Sequence, residues 1–169
     1  ILLFVAGVLG GILNSVAGGG SFITFPSLLF VGVPPVIANA TNTFAACAGY
    51  VSGAYGFRQD IGKHPQSILF TVILSLIGGA LGAYLLLSVS ESLFLEAIPW
   101  LLLFATVLFL FGNKISEWSG KLVRKGSVSP VWSTIALSLF LVLVSAYGGF
   151  FNAGLGVIVL SYLVLAGYK

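Results

Sequence analysis

The chain has 169 residues, 59% of them hydrophobic and only 7% charged, with a mean hydropathy of +1.14 and a net charge of +3. Globular domains carry about 25% charged residues, so a soluble core is excluded and an integral membrane protein is expected. The seven basic residues lie mostly in two short stretches, which points to membrane orientation rather than nucleic-acid binding, and the single Cys47 cannot form an internal disulfide.

The first residues, ILLFVAGVLGG, carry no basic n-region and no A-x-A-like cleavage site follows, so they read as a membrane segment rather than a secretory signal. Residues 1–14 are apolar, and Gly7 and Gly11, four apart, offer a small face for close helix packing. Residues 10–32, GGILNSVAGGGSFITFPSLLFVG, are as hydrophobic as a membrane helix, yet Asn14, Gly18, Gly19, Gly20 and Pro26 interrupt them. A mid-helix glycine costs roughly 1 kcal/mol relative to alanine. Opened backbone at membrane depth is tolerated only where protein or a polar cavity surrounds it. Two helical pieces meeting at a break are therefore predicted, the second starting near Ser21, where free N–H groups favour an anion.

Pro34 and Pro35 mark the next helix start, and a span is predicted over 36–57. In it Asn39, Asn42, Thr43 and Ala46 share one face, with Thr41 off that stripe, and Gly49 and Gly53 continue a packing surface. A span over 67–89 follows, with Gly78, Gly79 and Gly82 for close packing, then one opened by Pro99 and ending near Gly112. Pro130 begins an apolar run broken around 152–156. The two basic stretches, 58–64 and 114–125, are separated by two spans, and the segment between those spans carries only Glu91 and Glu96. Both basic stretches are thus expected on the cytoplasmic side of the cell membrane.

The segment GGFFNAGLG at 148–156 echoes 10–14 and 18–20. Gly-interrupted hydrophobic segments at matching places in two halves point to a transporter site at the repeat interface. The predicted fold is all-α, a polytopic transmembrane helical bundle with Gly-interrupted helices and an internal repeat. Its first repeat covers 1–112 and its cytoplasmic linker 113–129. The start of its second repeat covers 130–169, and that copy is expected to be truncated here. Whether each broken segment crosses once or folds as a hairpin stays open, and with it the choice between parallel and inverted repeats.

The run GGILNSVAGGGSFITFPSLLFVGVPPVIANATNTFAACAGYVSG resembles the opening signature of the sulfite exporter TauE/SafE family of membrane permeases. The features are a glycine at 11, a Gly-rich break at 18–20, Pro-x-Leu-Leu at 26–29, Gly-x-Pro at 32–34 and Ala-x-x-Thr-Asn at 38–42. The resemblance covers 2–112 and resumes at 148. It implies a permease for sulfite or organosulfonates, built from two similar halves.

The expected anion pocket is formed by Gly18, Gly19, Gly20 and Ser21, with Asn14, Thr41 and Asn42 as side-chain donors. Asn152, Gly154 and Gly156 close it from the second half. The bland alternative is that the asparagines cap broken helices or bond between helices, at about 0.6 kcal/mol each. Gly7, Gly49, Gly53, Gly78 and Gly82 are read as packing, Cys47 as a small core residue, Arg58 as a topology anchor and His64 as solvated. No charged residue lies in a predicted span, so a proton relay has no candidate there. One histidine and no nucleophile–base arrangement in the spans argue against an enzyme, and no metal or cofactor is expected. The expected partners are a small anionic substrate and the bilayer, without nucleic acid; a homo-oligomer stays open. Rival classes are a same-fold permease for another small organic anion, an anion channel and a non-transporting scaffold.

Overall fold

The computed structural model describes residues 1–56, 58–61, 65–125 and 130–165. Among them the chain is helical throughout, without strands: α1 (Leu2–Ala17), α2 (Ser21–Phe30), α3 (Pro35–Gly56), α4 (Arg58–Ile61), α5 (Pro65–Ser88), α6 (Glu91–Lys125), α7 (Pro130–Phe150) and α8 (Leu155–Leu165). Pro35, Pro65 and Pro130 each open a helix, where a missing N–H costs least. The expectations for Lys63, His64 and the end of the second repeat at 166–169 fall outside the described residues.

Pro99 does not open a helix; it lies inside α6, which starts at Glu91. The stronger start is Ser90, whose hydroxyl accepts from Leu93 N–H at 3.4 Å while its carbonyl accepts from Phe94 N–H at 3.0 Å. Nor does the helix end at Gly112. No proline falls between Pro99 and Pro130, and α6 runs on to Lys125.

Both Gly-broken segments fold as hairpins. In the first, α2 doubles back on α1: a Cβ on Gly10 would lie 2.6 Å from Thr24 Cγ2, and one on Gly20 would meet the Gly10 carbonyl and Asn14. In the second, α8 returns along α7. Gly148 faces Leu155, and the Phe140 and Tyr162 rings lie 6.2 Å apart. The hairpins meet at their turns, where a Cβ on Gly156 would lie 2.8 Å from Gly18 Cα.

The small-residue prediction holds for α5 and fails for α1 and α3. Gly78 sits against Val142 and Ser145, Gly82 against the Ala146 carbonyl and Gly149 against Gly79, so α5 and α7 touch backbone to backbone. Among the described residues, Gly7, Gly11, Gly49 and Gly53 have nothing within 4 Å of a notional Cβ, and α1 meets α2 through Gly10 and Asn14 instead. Cys47, expected in the core, is exposed.

The core gathers around the second break. Phe25 of α2, Ala38 of α3, Phe94, Ile98 and Ala105 of α6, and Phe151 and Ala153 of the break itself are all buried. The stretch 68–88 is long and apolar enough to cross a bilayer, and Leu69, Phe70, Leu76, Leu81 and Leu85 on it stay exposed. A soluble protein would bury such a helix.

Candidate functional site

Gly18 ends α1 in the left-handed region, at φ 70° and ψ 16°, and its N–H reaches Asn14 O at 3.0 Å. Gly154 holds the matching place in the second hairpin at φ 74°. Only glycine takes this conformation freely, which is why the two breaks sit where they do.

Gly20 is the N-cap of α2 and has no side chain to satisfy the first N–H groups. Among the described residues, the N–H groups of Gly19, Gly20 and Ser21 have no acceptor, while the Gly19 and Gly20 carbonyls already accept from Phe22 and from Ile23 and Thr24. The second break repeats this imbalance. The Phe150, Asn152, Ala153 and Gly154 carbonyls accept from Asn39 Nδ2, Leu155 N–H, the Tyr147 hydroxyl and Ile158 N–H, whereas the N–H groups of Asn152, Ala153 and Gly154 have no acceptor among the described residues.

α3 fastens the two breaks together. Asn39, 2% exposed, donates to Phe150 O at 2.9 Å, and one turn later Asn42, 4% exposed, donates to Ser21 Oγ at 2.9 Å. Thr24 shares its one hydroxyl proton between Asn42 Oδ1 and Gly20 O. Ser21 thus accepts from Asn42 and keeps its own hydroxyl proton for a further partner. Phe25 and Phe151, fully buried, meet edge to face at 5.4 Å between the breaks.

Asn152 is different. It is 3% exposed, and its Nδ2 has no hydrogen-bond partner among the described residues. A buried donor left open costs about 1–3 kcal/mol. No charged side chain occurs anywhere in 1–57 or 126–168, so the helices that carry both breaks supply dipoles and amides but no ion.

The structure brings Gly18 against Gly156 and joins Ser21, next to Gly19 and Gly20, to Asn42, while Asn152 and Gly154 sit in the second break. Asn14 lies beside them, half-buried in the last turn of α1 rather than in the break as expected. Thr41 is exposed: one residue from Asn42 on a helix is about 100° of rotation, so it turns away from the breaks. The sequence reading passed over Thr24, which the i, i+4 spacing from Gly20 could have flagged, and Tyr147, whose hydroxyl braces Ala153 O at 2.8 Å.

The profile of the family described as sulfite exporter TauE/SafE matches residues 3–169. The chain belongs to this family. Membership makes it a membrane protein. Among its relatives is a probable membrane transporter protein of Haemophilus influenzae, 33% identical over 99% of this chain and 64% of the relative. Another is a probable membrane transporter protein, ORF9, of Sinorhizobium sp, 30% identical over 98% of this chain and 61% of the relative. The probable membrane transporter protein YfcA of Escherichia coli is 32% identical over 69% of this chain and 43% of its own length. The chain spans about three fifths of the length of the first two relatives. No solved structure matches it.

Proposed function

We propose that this chain carries the substrate site of a membrane permease for small sulfur-containing anions, sulfite or organosulfonates, and that the site is the junction of the two helix breaks. The observation that carries the reading is the Asn152 amide, buried in the second break with an unused donor. The first break holds further unused donors among the described residues, the amides of Gly19, Gly20 and Ser21. A ligand rich in acceptors relieves all of them at once. Helix N-termini favour such an anion without a fixed cation that would hold it too tightly for release. The family membership supports the sulfur chemistry.

The test is uptake of labelled sulfite and methanesulfonate into vesicles holding the full-length protein. Saturable flux in the wild type that drops at least about tenfold in Asn152→Leu is expected. Flux that never saturates would indicate a pore. The absence of flux for every small anion tried would indicate a scaffold, and either result would overturn the permease reading.

A further inference from the structure

Resting on the anion site proposed above, we infer that the rings of Phe25, Phe94 and Phe151 form the gate that closes this site toward one face of the membrane. Asn152 and Ser21 are both buried, so an anion reaches them only when side chains around them move. The order of the elements tells which face is closed. α2 leads from the first break to Phe30, residues 31–34 turn the chain into α3, and residues 89–90 turn α5 into α6. Val33, Val36, Leu86, Val89 and Phe94 pack in one apolar cluster, so both turns lie on the same face of the bundle. Phe25 stands one helical turn beyond Ser21 in the direction of that face, Phe94 stands one turn into α6 from it, and Phe151 immediately precedes Asn152. The three rings thus separate the open donors from the 89–90 turn.

The layer has the chemistry of a gate. Phe25, Phe94 and Phe151 are fully buried, and Phe151 meets Phe25 edge to face at 5.4 Å and Phe94 at 6.5 Å. An apolar constriction sheds water, and a bare anion crosses such a layer only at a large desolvation cost. The rings also come from three separate elements: the first hairpin, the second break and α6. The neighbouring contacts are harder to part. α2 lies on α1 with Gly20 against the Gly10 carbonyl, and α7 lies on α5 with the Ala146 carbonyl against Gly82, so the backbones there have no room to slide. Edge-to-face rings hold one another weakly and swing between rotamers without moving the helices that carry them. Motion at this layer opens a path to Asn152 while both hairpins stay intact.

The test ties the rings' positions together. In a Cys47→Ser background of the full-length protein, Phe25→Cys and Phe151→Cys are bridged by a short bifunctional thiol reagent with a reducible linker. Uptake of labelled sulfite and methanesulfonate into vesicles is expected to be lost on bridging and to return on reduction. A bridged protein that transports at its unbridged rate overturns the gate and leaves the anion site standing. A second measurement needs no bridge, and it decides where the double-cysteine protein does not fold. Ala153→Cys in the same background places a thiol in the second break, where Ala153 is buried. Adding Phe25→Leu keeps an apolar side chain and removes the ring contact. The thiol should then react roughly two- to tenfold faster with an impermeant reagent applied from the side of the 89–90 turn. An unchanged rate in folded protein means that the rings serve the core alone, which overturns the gate and spares the site. No uptake of either anion by the wild type removes the site and the gate together.

Discussion

Asn42 and Asn152 have the same side chain and nearly the same burial, yet one is spent inside the protein and the other is not. Their substitutions should therefore behave in opposite ways. Asn42→Ala takes away the donor to Ser21 Oγ and leaves Thr24 only the Gly20 carbonyl, and should destabilise the protein by about 1 kcal/mol, read as a lower midpoint in thermal unfolding in detergent. Asn152→Leu removes an unsatisfied donor and should leave the midpoint unchanged or raise it, while uptake collapses. A destabilised Asn152→Leu would mean that the amide serves the fold. Gly20 is constrained by space: a Cβ there runs into the Gly10 carbonyl, so Gly20→Ala should part α1 from α2 and cost well over 1 kcal/mol. Gly11→Ala, with open space around it, should instead gain about 0.5–1 kcal/mol of helix stability.

At the scale of elements, the sequence read well where a local cost decides the outcome. Three adjacent glycines at 18–20 break a helix wherever they stand, and Pro35 and Pro130 start one. It read poorly where long-range packing decides. Nothing local to 10–32 states that α2 must fold back on α1, because that depends on Gly10 and Gly20 approaching each other across the turn. Gly7 and Gly11 carry the same small-residue signal as Gly78 and Gly82, but among the described residues only the latter have a helix against them. Within the site, Asn42 and Asn152 were legible as polar residues in apolar runs. That Asn42 is tied up and Asn152 is not depends on Ser21 and Thr24 being delivered by the hairpin. The α5–α7 contact gives a further test. Gly82→Val places a branched side chain on the Ala146 carbonyl and should separate the two helices, read as a loss of folded protein on extraction.

Across the whole molecule, charge and surface divide cleanly. Uncharged sequence carries the breaks, and exposed leucines, isoleucines and Phe70 cover α5, as a lipid-facing surface requires. The charged residues fall at 58–64, 91–96, 114–125 and 169. If the basic stretches face the cytoplasm, a Gln59→Cys variant in a Cys47→Ser background should react with an impermeant thiol reagent only from the cytoplasmic side. A Ser92→Cys variant should react only from the outside. The inverse pattern would reverse the orientation, and the same pattern on both would contradict a membrane crossing by α5. The central claim is that the open amides at the breaks exist to hold an anion. Its most direct test is a titration of the 15N-labelled full-length protein in lipid nanodiscs with methanesulfonate, following the amide resonances of Gly19, Gly20 and Gly154. Saturable downfield movement at these positions, absent in Asn152→Leu, is the expected result; resonances that stay still while the same protein transports the anion would contradict the account.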